Sequence, residues 1–127
     1  MITLKTLEQA TAQEVFDQAA EHLLTQNKQS EGVHNNGLTC MYRSPDGLKC
    51  AAGCLIGDDE YSSEWERRSW GFVSKAGGVT KHVTLISSLQ SIHDDYEPSQ
   101  WLVRLKELAN SRVLNTKVLE NAPQETL

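Results

Sequence analysis

Two cationic side chains, Arg43 and Lys49, have the spacing in this sequence that most directly suggests binding chemistry. They flank residues 44–47, whose order Ser-Pro-Asp-Gly is typical of a type I turn followed by a left-handed glycine. Such a turn predicts a hairpin with strands at about 39–43 and 48–50, in which Arg43 faces Lys49. Because like charges directly opposite each other destabilise a sheet, we expect an anion between the two side chains.

One source of this anion is the chain itself. The turn contributes Asp46, and Asp58 and Asp59 follow shortly afterwards. A carboxylate from any of these three would make the cation pair a structural feature, and internal ion pairs of this kind are common.

The other source is a small anionic ligand, for example a nucleotide. Arg43 and Lys49 would then neutralise its phosphate, and Tyr42 would stack on or border its base. The next turn of the chain would aim free amides at the anion near Ala52 and Gly53, where glycine permits close approach. Residues 28–38 read as a long loop, which would complete the site.

Three cysteines, Cys40, Cys50 and Cys54, suggest a metal site at first sight, with His34 as a fourth ligand. Their spacing fits no standard zinc pattern and contains no close C-x-x-C pair. Free cysteine is among the most buried residue types. We therefore predict reduced core thiols, with no metal and no cofactor.

A nucleophilic cysteine needs a base and an electropositive, partly exposed setting. Cys50, which follows Lys49, is the one candidate, and no sequence pattern links a histidine to it. A cysteine-dependent hydrolase or transferase is therefore the third choice, and the sequence favours a protein without catalytic residues.

The net charge of −5 argues against a general nucleic-acid binder, because such proteins neutralise phosphates with many lysines and arginines. An acidic surface also suits a protein–protein inhibitor of a host enzyme or defence factor, which is the alternative function. An exposed patch around Trp65 and Trp70 would favour that alternative. No apolar run is long enough to cross a membrane, and the N-terminus has no signal-peptide pattern, so we expect a cytoplasmic protein.

Several elements must position these residues. A capping box at Thr11 and Glu14 predicts a helix over about 12–26, ended by a left-handed Asn27. Residues 51–56 are predicted to form a buried helical turn. A second capping box, at Ser63 and Glu66, predicts a helix that runs through Val73 to two glycines.

Two more long helices are predicted, one capped by Thr80 and one that begins at Pro98. Asn115 would cap a short last turn. We thus expect a single α+β domain spanning residues 1–127, with about five helices packed around one two-stranded antiparallel hairpin. Its ordered core would cover about 11–112, and the tail from about 121 would fray. The oligomeric state is left open.

Residues 40–56, with the sequence CMYRSPDGLKCAAGCLI, resemble a segment of a widespread group of small, uncharacterised bacteriophage and prophage proteins. The similarity extends over residues 11–60 and more loosely over the rest. It implies a phage-encoded accessory protein that acts in the cytoplasm of an infected bacterium, for host takeover or against host defence. Because the group has no assigned activity, the resemblance carries over no catalytic residue.

Together these observations predict a non-enzymatic binding protein that sequesters a small anionic ligand such as a nucleotide signal. The expected site comprises Arg43, Lys49, Gly53, Tyr42 and Ala52.

Overall fold

The computed structural model describes residues 1–120 and shows a small α+β domain, as predicted. Its five helices are α1 (Ala12–Gln26), α2 (Trp70–Ala76), α3 (Val83–Asp95), α4 (Pro98–Ser111) and α5 (Lys117–Glu120). Two antiparallel strands, β1 (Glu31–His34) and β2 (Gly37–Cys40), form the sheet. Short 3₁₀ turns lie at Leu7–Gln9, Gly53–Leu55 and Ser63–Trp65. The tail predicted to fray from about 121 lies outside the described residues.

The core lies where α1, α3 and α4 pack on one another. Phe16 of α1, Leu89 of α3 and Trp101 of α4 are fully buried there, and removing this apolar surface from water drives the packing. Leu7 and Leu119, outside the predicted ordered core, are also buried. No helix among residues 1–120 is long and apolar enough to cross a membrane.

Helix α1 matches its prediction at both ends. The Thr11 side chain accepts from the Glu14 amide, the Glu14 carboxylate accepts from the Thr11 amide, and Asn27 has a left-handed backbone with φ 50°. Both ends of α1 therefore follow from interactions between residues close together in the sequence.

The position of the hairpin was wrong, although its type and number were right. Residues 28–38 are not a loop: they contain β1 and most of β2, with Val33 paired to Leu38 and His34 to Gly37. The turn is Asn35-Asn36, with φ values of 50° and 67°. Two positive φ values define the type I′ turn of a two-residue hairpin, which asparagine tolerates almost as glycine does.

The predicted strands at 39–43 and 48–50 are reduced to one isolated bridge between Arg43 and Lys49. The reason is that side chains accept hydrogen bonds from backbone amides that would otherwise pair between the two strands. The Tyr42 and Arg43 amides donate to the Glu66 carboxylate, and the Lys49 amide donates to Gln26 Oε1. The turn itself is as predicted: the Gly47 amide donates to the Ser44 carbonyl, and Gly47 has φ 87°.

The helix predicted to start at Ser63 is interrupted. Ser63–Trp65 form a 3₁₀ turn, Arg67 has a left-handed φ of 65°, and α2 starts afresh with Ser69 as its N-cap. Glu66 causes the break, because its side chain turns away from any capping box to accept from the amides of residues 42 and 43. A tertiary contact thus overrides a local signal.

The prediction that Thr80 caps α3 is wrong. The amide and the hydroxyl of Thr80 both donate to the Glu8 carboxylate instead. The helix begins after His82, which has a left-handed backbone. The other two predictions are confirmed: Pro98 is the first residue of α4, and Asn115 Oδ1 accepts from the Lys117 amide at the start of α5.

Candidate functional site

The predicted cation pair is present, and an internal carboxylate lies with it. Arg43 and Lys49 face each other across the bridge. Arg43 Nη1 lies 2.8 Å from Asp58 Oδ1, and Lys49 Nζ lies 3.9 Å from the same oxygen. Of the two anions considered from the sequence, the structure therefore contains the internal one.

Arg43 is also held by neutral groups. Its Nη2 donates to the Ile56 carbonyl at 2.8 Å, and its guanidinium lies over the Tyr61 ring, 4.9 Å from the centroid. The buried Nε has no hydrogen-bond acceptor in the described chain, but the aromatic face stabilises the cation as a whole. The Asp58 side chain is 88% exposed, so an external anion at Arg43 would compete with a surface carboxylate.

The remaining residues of the predicted site also have partners within the chain. The buried Tyr42 hydroxyl donates to the Arg68 carbonyl at 2.7 Å. The Ala52 amide donates to Gln90 Oε1 at 2.9 Å, and the Gly53 amide donates to Cys50 Sγ at 3.3 Å. Glycine is needed at 53 because a Cβ would lie 2.1 Å from the Tyr42 carbonyl oxygen. The close approach at Gly53 is thus to the protein's own backbone.

The three cysteines are reduced and have unreactive surroundings. Burial raises the pKa of the Cys50 thiol, and it raises the pKa of Cys54 to about 12. Burial, with the neighbouring Asp94, raises the pKa of Cys40 to about 12. Because the thiolate is the nucleophile, the geometry gives no support to a cysteine-dependent enzyme.

Cys40, His93 and Asp94 bring their potential metal-ligand atoms within 4.8 Å of one another. The hydrogen bonds of His93 prevent it from serving as a ligand. Its Nε2 accepts from the Ser30 amide at 2.9 Å, so the proton is on Nδ1, which donates to Asp94 Oδ1 at 2.7 Å. A metal at Nδ1 would force a proton onto Nε2, against the Ser30 N–H. His93 thus anchors the start of the hairpin to α3.

A second pair of cationic residues, Arg67 and Arg68, borders a cavity of about 280 Å³. The two arginines are exposed at its rim. The walls come from β2 and the residues that follow it, the start of α2 with its N-cap, and α3: Thr39, Cys40, Tyr42, Ser69, Trp70, Gln90 and Asp94. Tyr42 is therefore the one residue of the predicted site that lies here.

Trp70 distinguishes this cavity chemically. The residue is 3% exposed, and its Nε1–H has no acceptor among the described residues. A buried donor without a partner costs about 1–3 kcal/mol, so native structures rarely keep one without a reason. The cavity is thus lined by two exposed arginines and by a tryptophan whose indole N–H is buried without an acceptor among the described residues.

Sequence reasoning missed this cavity because adjacent arginines in a continuous helix would point in different directions. Both line the cavity here, at the point where Arg67 breaks the helix with a left-handed backbone. No local pattern signals this break, since it depends on the contact between Glu66 and residues 42 and 43.

A larger groove of about 850 Å³ runs along α1. Its lining includes Glu14, Asp17 and Glu21, with Lys49 at one side. Three carboxylates against one lysine repel an anion, so this groove is a poorer candidate for the predicted ligand.

Comparison of the chain with protein-family models, with curated proteins and with solved structures finds no match.

Proposed function

We propose that this chain is a non-enzymatic binding protein that holds a small anionic ligand of the nucleotide class in the cavity beside Arg67, Arg68 and Trp70. The resemblance of residues 40–56 to phage and prophage proteins supports a setting in an infected bacterium, where sequestering such a ligand would counter host defence. The proposal moves the site from Arg43 and Lys49 to the second cation pair.

The observation that carries the proposal is a cavity lined by two exposed arginines, Arg67 and Arg68, neither of which has an ion pair among residues 1–120. The guanidinium groups carry fixed charge and present forked donors that match a phosphate. The Arg68 guanidinium lies 4.6 Å from the centroid of the Phe72 ring, which is not part of the cavity lining.

The test is thermal melting of the protein with inorganic phosphate, pyrophosphate, and a panel of linear and cyclic nucleotides. A ligand that binds only the folded state increases the free energy of unfolding and so raises the melting temperature. The increase grows with the logarithm of the ligand concentration once that concentration exceeds the dissociation constant. We expect at least one nucleotide to do so. Arg67→Ala should weaken its binding by about tenfold or more, the worth of one charge-assisted hydrogen bond.

Arg104→Ala is the matched control, because Arg104 is a half-exposed arginine that pairs with Glu107 and lies over Tyr96, with no place in the cavity lining. It should leave binding unchanged. If no compound in the panel shifts the melt, or if both arginine variants weaken binding equally, this function is wrong.

The second candidate is a protein–protein inhibitor, and the hairpin is the observation that favours it. Val33 and Leu38 form a cross-strand pair and are 78% and 70% exposed. An exposed patch around Trp65 and Trp70, which would also have favoured this candidate, does not form, because Trp70 is buried. Exposed apolar pairs on a short sheet suit docking by a partner. Replacing both Val33 and Leu38 with lysine should abolish capture of a host protein while leaving nucleotide binding intact.

A further inference from the structure

We infer that the outer edge of strand β2 binds an extended, acidic segment of a partner protein, which adds a third strand to the sheet. The backbone of this segment pairs with Leu38 and Cys40, and its carboxylates lie at Arg67 and Arg68. The inference goes beyond the proposed function, because it gives the hairpin a partner of defined chemistry and a mode of binding.

The first step concerns the two faces of the hairpin, which are covered to different extents. Gly32 is buried against Met41, since a Cβ at this glycine would collide with the Met41 sulfur. Successive side chains of a strand point to opposite faces, so Val33 and its cross-strand partner Leu38 lie on the other face, where they are 78% and 70% exposed. A partner that covers this pair removes apolar surface from water.

The second step concerns the backbone groups at the edges of the hairpin. In the part of the chain that the structure describes, the sheet has two strands, so each strand pairs along one edge. The Met41 amide donates to the Ser30 carbonyl at 2.8 Å, and bonded pairs alternate with non-bonded pairs along an antiparallel ladder. Val33 and Leu38 therefore form a non-bonded pair, and Cys40 belongs to the next one. The N–H and C=O groups of Leu38 and Cys40 thus point outward from β2, where a further strand can pair with them.

The third step concerns charge, which distinguishes the two edges. Thr39 and Cys40 line the same cavity as Arg67 and Arg68, so the outer edge of β2 leads to these two exposed arginines. Neither arginine has an ion pair among residues 1–120. The outer edge of β1 begins instead at Glu31. A strand that carries carboxylates is therefore attracted to the β2 edge and repelled at the β1 edge.

A second copy of this chain is a poorer occupant of the edge. Its own β2, Gly37–Cys40, has the sequence GLTC and offers no carboxylate to the arginines. Each copy also carries a net charge of −5, so two copies repel each other at long range. The charge pattern thus favours an acidic segment of a different protein.

The experiment measures amide hydrogen exchange by NMR in the full chain, with a synthetic peptide as the probe. The probe is a short, end-capped peptide with glutamates in its N-terminal half and alternating valine and threonine in its C-terminal half. Antiparallel pairing with β2 places the glutamates beside the arginines and the valines beside Leu38. We expect the Leu38 and Cys40 amides to exchange at least about tenfold more slowly with the probe bound. The Val33 amide, on the β1 edge, should keep its rate.

Two further comparisons test the side-chain contacts. A peptide with lysine in place of every glutamate should bind at least about tenfold more weakly, since each lost ion pair at an arginine weakens binding. Leu38→Lys should weaken binding of the acidic probe by a similar factor, because it removes the apolar contact. Val103→Lys is the matched control, since Val103 is also an exposed apolar residue but lies on α4. It should leave binding of the probe unchanged.

The inference is overturned if the acidic probe does not bind, if the lysine peptide binds equally well, or if protection appears at Val33 and not at Leu38 and Cys40. Self-association of the free protein that Leu38→Lys abolishes would identify a second copy as the occupant and would also overturn it. Leu38 lies outside the cavity lining, so nucleotide binding by Leu38→Lys tests the proposed function separately.

Discussion

The two pairs of cationic residues in this protein have opposite relationships to the rest of the chain. Arg43 and Lys49 share Asp58, and Arg43 also binds the Ile56 carbonyl and the Tyr61 ring. Arg67 and Arg68, by contrast, stand exposed beside a cavity whose buried Trp70 donor is unused. The pair with the clearer sequence signal thus shares an internal carboxylate, whereas the second pair has no ion pair among residues 1–120.

This difference shows that sequence spacing predicts which side chains meet. It does not predict which of these side chains remain without a partner in the folded chain. The facing of Arg43 and Lys49 follows from one turn, which is local. Whether a cation has a partner depends on residues far along the chain, such as Asp58 and Glu66. A prediction about binding therefore needs the tertiary contacts as well as the turn.

Glu66 joins the two regions, so its loss should have the largest effect. Its carboxylate accepts from the Tyr42 amide at 2.9 Å and the Arg43 amide at 3.1 Å, and it also accepts from the Tyr61 hydroxyl. Glu66→Ala would leave buried donors without an acceptor, and we expect a loss of about 3 kcal/mol in the free energy of unfolding. Urea denaturation measures it.

Glu64→Ala is the control for this prediction, because Glu64 lies in the 3₁₀ turn that Glu66 directly follows but is exposed. It should change stability by less than about 0.5 kcal/mol. Similar losses in both variants would show that Glu66 does not hold the two regions together.

The two buried tryptophans allow the unused donor to be measured. Trp101 Nε1 donates to the Tyr96 carbonyl at 3.0 Å, whereas Trp70 Nε1 has no acceptor. Substitution with phenylalanine removes the same volume from both sites, but only Trp101→Phe breaks a hydrogen bond. We therefore expect Trp101→Phe to be more destabilising than Trp70→Phe by about 2 kcal/mol in the ligand-free protein. Equal losses in thermal melting would contradict the contrast between the two regions.

How far the sequence predicts this molecule depends on whether the signal is local. Thr11, Asn27 and Gly47 act through neighbouring backbone groups, and all three have the predicted conformations. The hairpin was misplaced because Asn35-Asn36 is a weaker turn signal than Pro-Asp-Gly, although both produce positive φ. The cavity was missed because it requires α3, β2 and a broken helix to meet, which no single segment encodes.

The structural pair should respond to mutation according to the number of contacts each side chain makes. Arg43 is 20% exposed and has three kinds of contact, so Arg43→Ala should cost about 1–2 kcal/mol. Lys49 is 35% exposed and lies 3.9 Å from Asp58, so Lys49→Ala should cost no more than about 0.5 kcal/mol. Chemical denaturation distinguishes the two. A gain in stability from Arg43→Ala would mean that repulsion outweighs the shared carboxylate, and would restore Arg43 and Lys49 as the candidate anion site.

The smallest expected effect concerns pH and the helix beneath Lys49. His22 Nε2 lies 2.8 Å from the Lys49 carbonyl oxygen, and burial lowers the pKa of this histidine below its usual 6.5. The unfolded chain therefore takes up a proton on His22 at a higher pH than the folded protein does. The contribution of His22 to stability is complete above pH 6.5 and is lost as the pH falls through the lowered pKa of the folded state.

His22→Gln retains a donor for the Lys49 carbonyl but cannot titrate, so its free energy of unfolding should fall less than that of the wild type between pH 7 and about pH 5. The carboxylates with lowered pKa, Glu8, Glu14 and Asp59, lose their contributions at lower pH and leave this window clear. Parallel pH profiles of stability for the two proteins would show that burial beside Lys49 does not lower the pKa of His22.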